Sequence, residues 1–267
     1  PSPSPVIAAS QIIYTPPGSG AVARTVQSRL QDFVSVKDWG AVGDGATNDT
    51  VAIQAAFDAI ASAGGGIYFP VGTYMISAVT LTTAAQISIR GEGKLLSKIR
   101  RHASALQAAT NMVSITTTSG VSVDSMGFDQ RGDGSVFQKA AISITGATSL
   151  SFTNNYVTGG QSVGFQGVDC DNVIHQGNYY YQNWWFGASF SSSSPTSAPV
   201  YHTGYTSCGN VYENMPIGLA FNFFLSDITV SGEVFKKSGL DFVQMLRARA
   251  SVSNIVIDGT STYGFIS

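Results

Sequence analysis

Short triplets of the pattern hydrophobic–any–hydrophobic recur along this chain from about residue 67, and turn-forming residues follow each of them. Successive triplets end 23 to 34 residues apart. Such a period is typical of a parallel β-helix, because each coil buries its apolar face only against its neighbours. A β-sandwich would also contain short strands, but it would not repeat one similar turn after each of them. The triplets end at Ile89, Val123, Phe152, His175, His202, Val230 and Ile257.

Polar residues that follow the triplets support this register. Asn155 and Asn178 each lie three residues after a triplet, and stacked asparagines at one turn are a feature of β-helices. Glu233 lies at the corresponding position of a later coil, where we expect a structural turn residue. His175 and His202 end triplets 27 residues apart, and we interpret them as core or groove residues rather than as a catalytic pair.

One amphipathic helix precedes the repeats. Asn, Asp and Thr at positions 48–50 are all favourable N-cap residues. The glycines at 64–66 end the helix, because glycine readily adopts the left-handed C-cap conformation. We therefore predict a helix over residues 48–63 that covers the N-terminal end of the β-structure. Four apolar residues follow the spacing of one helix face: Ile53, Ala56, Phe57 and Ile60.

This region also carries a family resemblance. The segments VKDWGAVGDGATNDTVAIQAAFDAI and GGGIYFPVGTYMI resemble the entry motif of pectate-lyase-like, right-handed parallel β-helix proteins. The preceding segment ARTVQSRLQDF, residues 23–33, resembles the neck before the β-helix of bacteriophage tailspikes and tail fibres. The motif is specific for the fold and holds no known catalytic residue. Accordingly, we expect Asp44 and Asp49 to serve in turns and caps.

The resemblance implies an all-β, right-handed, single-stranded parallel β-helix with one N-terminal capping helix. We divide the chain into an arm or neck at residues 1–33 and a β-helix at 34–267, which we expect to be incomplete at its C-terminal end. Proteins of this type are generally homotrimers on the virion. They contact other tail proteins and act outside the bacterial cell, where they bind and cleave a surface polysaccharide. No cofactor or metal is implied.

Composition excludes other classes of partner. The net charge is −2 and the pI is about 5.9, so the chain lacks the basic footprint expected of a nucleic-acid-binding protein. No apolar run reaches the ~18 residues of a membrane span, so we expect no membrane insertion. Only 11% of residues are charged, which suits a β-helix with a neutral polar surface. Cys170 and Cys208 are interpreted as buried thiols.

Two acidic residues are candidates for glycoside hydrolysis. Glu213 and Asp241 are 28 residues apart, about one coil, and each precedes its triplet end by a similar distance. On adjacent coils their carboxyl groups would fall within the roughly 5–10 Å that glycosidases use. One would act as the acid and the other as the nucleophile or base. The alternative is that both are unrelated turn residues.

A second acidic segment suits a polysaccharide lyase. The segment FDQRGDG contains Asp129, Arg131 and Asp133. A lyase would use a carboxylate-bound cation to acidify a uronic-acid proton, and arginine or lysine as the base. The alternative is a hydrated loop. Asp169 and Asp171 lack the calcium-loop spacing and are interpreted as turn residues.

An aromatic run provides the candidates for sugar binding. Residues 179–186 read YYYQNWWF and contain six aromatic side chains. Because side chains alternate along a strand, they cannot all face the interior. Tyr180, Trp184 and Trp185, with Arg131, are therefore predicted to contact a glycan, since aromatic faces stack on sugar rings. Packing against a neighbouring subunit is the alternative.

Three functions remain open at this point. The first is a polysaccharide depolymerase, for which the residues favour a hydrolase over a lyase. The second is a non-catalytic receptor-binding or structural tail protein that uses the same fold only to present aromatic residues and loops. The third is a secreted pectate-lyase-like enzyme, against which the tailspike-like neck argues.

Overall fold

The computed structural model describes residues 6–30, 33–106, 110–131, 139–160, 162–193, 200–222, 224–238 and 249–259, and the backbone of 240–243. Three sheets, each with parallel pairing throughout, wind together into a parallel β-helix, as predicted. Sheet 1 contains Val79–Thr83, Val113–Thr117, Ala140–Thr145, Val163–Val168, Phe186–Ser191, Ile217–Asn222 and Leu240–Val243. Sheet 2 contains Phe33–Ser35, Gly65–Phe69, Ile87–Gly91, Gly120–Asp124, Ser149–Thr153, Val173–Gln176, His202–Cys208, Leu225–Ser231 and Ala250–Ser253. Sheet 3 contains Asp44–Asn48, Gly72–Ile76, Ser97–Arg101, Gly127–Asp129, Tyr156–Thr158, Tyr179–Tyr181, Val211–Glu213, Val234–Lys236 and Val256–Asp258.

The remaining elements lie mainly before the first coils. A small antiparallel hairpin joins Ile13–Tyr14 to Arg24–Thr25. The α-helices are Val26–Leu30 and Thr50–Ile60, and the 3-10 helices are Ala9–Gln11, Val36–Trp39 and Ala103–Ala105. None of the helices in the described part of the chain combines the length and hydropathy of a membrane span.

The interior is a stack of side chains from successive coils. Phe152 and Phe165 stack with ring centroids 4.2 Å apart, and Tyr180 and Tyr212 stack at 5.1 Å. All four rings are fully buried. Burial of one such side chain contributes roughly 1.5–3 kcal/mol, so the stacked rings are a main source of stability.

The predicted register is correct for most coils. Two triplets differ from the prediction. His175 pairs with Ser207, five residues beyond His202, because the long connection before the strand His202–Cys208 lengthens that coil. Ile257 lies in sheet 3 rather than sheet 2. His202 therefore does not lie beside His175 in the stack. Five triplet ends are in register in sheet 2 as predicted: Ile89, Val123, Phe152, His175 and Val230.

A buried asparagine ladder joins the coils at the turn between sheets 2 and 3. The Oδ1 atom of Asn178 accepts the backbone N–H of Asn155 at 2.9 Å, and Oδ1 of Asn210 accepts that of Asn178 at 2.8 Å. Each Nδ2 donates to a carbonyl of the preceding coil, as Asn178 does to Phe152 at 2.8 Å. Glu233 ends this ladder in the described chain. The predicted structural role of these turn residues is confirmed.

The same turn requires a left-handed residue before each ladder position. Its φ angles lie between 53° and 65°. Glycine, asparagine and serine fill the position, and glycine and asparagine are the residues that tolerate this conformation best. The six residues are Ser125, Asn154, Gly177, Gly209, Gly232 and Asn254.

The helix Thr50–Ile60 covers the end of the β-helix, as predicted. Its four predicted apolar residues are all buried. The Gln54 side-chain amide donates to the carbonyl of Thr80 at 2.7 Å and accepts its N–H at 2.9 Å. It thereby satisfies the backbone at the outer edge of the first strand of sheet 1, which no strand of the described residues covers. Asp49 accepts the amides of Val42 and Gly43, so its expected turn role is confirmed.

Candidate functional site

Sheet 3 presents a row of tyrosines to solvent. Its short strands bury their middle residue and turn the first and third outwards. Tyr156 and Tyr179 occupy the same outward position on adjacent coils and stack with centroids 5.7 Å apart. Tyr181 faces outwards at the end of its strand. Three half-buried tyrosine rings therefore share one surface.

These tyrosines form the floor of a cleft of about 410 Å³, lined by Lys94, Leu95, Tyr156, Tyr179 and Tyr181. We call it the tyrosine cleft. Lys94 and Leu95 belong to the connection before the strand Ser97–Arg101 and form its wall. The Lys94 Nζ donates to the carbonyl of Gly177 at 3.2 Å, so this wall reaches across several coils.

A second depression continues the same surface. It measures about 420 Å³ and is lined by Gln182, Asn183, Trp184, Asn214 and Pro216. We call it the tryptophan groove. Trp184 is 53% exposed, in keeping with its predicted role at the surface. Tyr181 and Gln182 are consecutive, so cleft and groove adjoin.

Glu213 lies next to residues of both depressions, since it pairs with Tyr181 of the tyrosine cleft and precedes Asn214 of the tryptophan groove. Its backbone pairs with that of Tyr181, and its side chain is 26% exposed. The hydroxyl of Tyr179 donates a hydrogen bond to Glu213 Oε2, and Lys236 Nζ lies 3.7 Å from the same atom. The bond to Glu213 is the main cause that raises the pKa of Tyr179 to about 12. Glu213 is thus a carboxyl group beside the half-buried rings of the tyrosine row.

Asp129 belongs to the same outward row but lies far from Glu213. Three strand-to-strand steps separate them, through Thr158 and Tyr181. At ~4.8 Å per step this is ~14 Å, beyond the carboxyl separation of a glycosidase. Asp129 forms an ion pair with Arg100 at 2.9 Å and accepts the N–H of Arg131.

The predicted pairing of Glu213 with Asp241 is wrong. Asp241 lies in sheet 1, where it pairs with Ala220, whereas the residue one coil beyond Glu213 is Lys236 in sheet 3. A separation of one period along the chain does not place two residues side by side when coil lengths vary. Asp133 lies outside the described residues.

Tyr180 is also placed differently from the prediction. It is fully buried, and its hydroxyl bonds to His175 Nε2 at 2.6 Å, so it cannot contact a ligand at the surface. The strand alternation that buries Tyr180 exposes its neighbours Tyr179 and Tyr181. Trp185 is half-buried against Phe186, with ring centroids 6.2 Å apart.

Two groups were missed from the sequence. Tyr156 could have been found from the coil register, since it lies 23 residues before Tyr179, the same separation as between Asn155 and Asn178. The other group joins two loops: His202 contacts Asp169 at 3.3 Å and Asp171 at 3.2 Å. Asp171 also accepts the N–H of Thr203 at 2.8 Å, so these aspartates tie one coil to the next. Their predicted role in turns agrees with this arrangement.

Other chemistry has little support in the described residues. They contain no group of three or more histidine, cysteine or acidic side chains placed to hold a metal ion. Cys170 is buried, which raises the pKa of its thiol to about 12, and Cys208 is half-buried. Both thiols are free.

Comparison with known proteins gives a match to one protein-family model. A protein-family model described as "Rhamnogalacturonase A/epimerase, pectate lyase-like" matches residues 33–266. Mannuronan C5-epimerase AlgE3 of Azotobacter vinelandii is 62% identical over 47 residues, 17% of this chain and 2% of that protein. Plasmin and fibronectin-binding protein A of Streptococcus pneumoniae is 48% identical over 59 residues, 21% of this chain and 8% of that protein. The matches thus span a small part of these curated relatives.

Two examples of solved structures in which the chain follows a similar course are a phage tailspike and a polygalacturonase. A mutant tailspike protein of E. coli bacteriophage HK620, in complex with a pentasaccharide, has a TM-score of 0.48 at 13% identity. The alignment covers 96% of this chain and 56% of that one. The family 28 exopolygalacturonase of Yersinia enterocolitica has a TM-score of 0.41 at 14% identity, with 88% and 68% covered.

Proposed function

The chain belongs to the rhamnogalacturonase A/epimerase, pectate lyase-like family, and from that premise we propose that it binds a polysaccharide along the outer face of sheet 3 and cleaves it at Glu213. The observation that carries this proposal is that Glu213 accepts a hydrogen bond from Tyr179, pairs with Tyr181 of the tyrosine cleft and precedes Asn214 of the tryptophan groove. Aromatic faces with polar edges bind sugar rings, and a carboxyl group among them is placed to act on a glycosidic bond.

Hydrolysis requires a second carboxyl group. Asp258 lies two strands beyond Glu213 in the same outward row, with Lys236 between them. Two steps amount to roughly 10 Å, near the upper end of the separation that leaves room for a water molecule in an inverting glycosidase. We assign Glu213 and Asp258 as this pair. Glu213 is the base, because Tyr179 and Lys236 both contact its carboxylate.

We further propose that the polysaccharide is a bacterial surface polymer and that the protein acts on a phage virion, as a homotrimer with other tail proteins. The resemblance of residues 23–33 to a tailspike neck supports this role. In the structure this segment forms the strand Arg24–Thr25 and the helix Val26–Leu30 directly before the first strand of sheet 2.

Incubation with capsular polysaccharides and lipopolysaccharides tests the proposal, with reducing ends and unsaturated uronic ends followed in parallel. We expect new reducing ends, their loss in Glu213→Gln and a large decrease in Asp258→Asn. Asp38→Asn, a change at an exposed carboxylate of the N-terminal cap, is the matched control.

Two other outcomes would replace the hydrolase. Unsaturated ends would favour a lyase that uses the Asp129 and Arg131 region. Binding without any product would make the chain a recognition module, in which the same aromatic surface holds the glycan without cleaving it.

A further inference from the structure

The wall of the tyrosine cleft carries positive charge. Lys94 lines the cleft and donates one hydrogen bond, to the carbonyl of Gly177. An ammonium group has three donors, so two remain available to a ligand. Across the residues that the structure describes, no carboxylate forms an ion pair with Lys94.

A second lysine adds to this charge. Lys98 lies two strands before Tyr156 in the same outward row, with Gly127 between them. The Lys98 Cγ lies 2.9 Å from the place that a Cβ on Gly127 would take, so its stem passes over this glycine. Lysine stems lie along a surface in this way while the ammonium stays in water. Arg100 adds no net charge, because Asp129 neutralises it at 2.9 Å.

The carboxylate of Glu213 lies at the other end of the surface, where Lys236 pairs with it. Four strand steps lead from the strand of Lys98 to that of Glu213, or ~19 Å along the β-helix. That length spans several sugar residues. A glycan that lies along the row would therefore meet, at one end, two lysines that form no ion pair within the described residues and, at the other, the ion pair of Glu213 with Lys236.

We propose that the tyrosine cleft selects a polysaccharide that carries an anionic group, and that Lys94 determines this selectivity by pairing with that group. The inference rests on the proposed function, since it assigns the substrate class of the same surface. Carboxylate and phosphate substituents would both satisfy Lys94, because each offers anionic oxygen acceptors.

Affinity electrophoresis of the whole chain tests this. The gels contain acidic capsular polysaccharides, each native and after carbodiimide-mediated carboxyl reduction, and phosphate-substituted capsules before and after hydrofluoric acid treatment. We expect the native form to bind about tenfold or more tightly than the neutralised form, the size of one charge-assisted hydrogen bond. Lys94→Met removes this preference, Lys94→Arg retains it, and Lys37→Met, an exposed lysine of the N-terminal cap, leaves it unchanged.

The outcomes separate the two proposals. Equal binding of native and neutralised polymers by the wild type, or a preference that survives Lys94→Met, overturns the inference while polysaccharide binding stands. Failure of every polysaccharide to retard the wild type overturns both. Weaker binding after carboxyl reduction identifies a carboxylate, and weaker binding only after hydrofluoric acid treatment identifies a phosphate; either supports the role of Lys94.

Discussion

Glu233 accepts the backbone N–H of Asn210 at 2.8 Å, and so takes the place that asparagine occupies in the three preceding coils. Its other oxygen accepts the Ser207 hydroxyl at 2.7 Å and the Asn210 side-chain amide at 2.9 Å. Glu233 is fully buried, and this burial raises its pKa to about 7. A group that titrates near neutral pH therefore lies inside the β-helix.

Stability should depend on pH through Glu233. Its folded pKa is about 7, above the ordinary value of 4.5, so the folded state favours the protonated form. The stabilisation is fully present below pH ~4.5 and is lost as the pH rises through ~7, an effect of roughly 3 kcal/mol. Glu233→Gln stays neutral, so we expect it to exceed the wild type in stability at pH 8. Urea unfolding at pH 5 and pH 8 measures the difference.

The control for this experiment is Asp38→Asn, which changes an exposed carboxylate. Its difference between the two pH values should match that of the wild type. If Glu233→Gln shows the same difference as the wild type, Glu233 does not titrate in this range, and the ladder tolerates its charge.

A chain of buried hydrogen bonds fixes the tautomer of His175. The Ser207 hydroxyl donates its proton to Glu233, so it must accept from His175 Nδ1, which lies at 2.8 Å. Nε2 is then free to accept from the Tyr180 hydroxyl at 2.6 Å. Burial lowers the pKa of His175 to about 3, so the ring is neutral. We expect the Nδ1–H tautomer when Glu233 is ionised, which ¹⁵N NMR shifts of the ring would identify at pH 8.

Ser207→Ala removes the acceptor of that Nδ1–H and tests its direction. We expect a change in the ring shifts and a loss of stability of ~1–3 kcal/mol, because a buried donor is left without its partner. An Nε2–H tautomer in the wild type would contradict the proposed direction of the chain.

The fold could be predicted because its signals are local. An outward Ser122 between inward Val121 and Val123 reports the alternation of one strand, and Asn155 and Asn178 report one turn. Each of these patterns depends on a few neighbouring residues. The cap helix followed in the same way from its apolar spacing and its glycine stop.

The site could be predicted only in part, because it depends on the lengths of the coils. Paired positions of sheet 2 are 23 residues apart between Phe152 and His175 but 32 apart between His175 and Ser207. Connections between strands tolerate insertions, so distance along the chain does not determine which side chains meet. The expected pairing of Asp241 with Glu213 fails for this reason. The exposure of Trp184 could be predicted, because six aromatic side chains in eight residues cannot all face the interior.

Tyr179 has two roles that substitution should separate. Its ring forms part of the floor of the tyrosine cleft, and its hydroxyl donates to Glu213. We expect Tyr179→Ala to weaken glycan binding about tenfold, since stacking surface is lost, whereas Tyr179→Phe keeps the ring and mainly lowers turnover. Binding is measured by affinity electrophoresis and turnover by reducing ends. The exposed Ile174→Ala on sheet 2 is the control, and an equal loss of binding in Tyr179→Phe would contradict the division of roles.

Gly127 keeps the wall of the tyrosine cleft close to its floor. A Cβ on Gly127 would lie 2.7 Å from the carbonyl oxygen of Lys94 and 2.9 Å from Lys98 Cγ, so Gly127→Ala must displace the backbone of the wall. We expect the chain to fold, with a stability loss of ~1–3 kcal/mol from overpacking, and to bind polysaccharide several-fold more weakly. Gly120→Ala is the matched control, because its Cβ would meet only the flexible Gln86 side chain, at 3.4 Å. Unchanged affinity in Gly127→Ala would mean that the position of the wall does not matter for binding, and that the exposed rings alone hold the glycan.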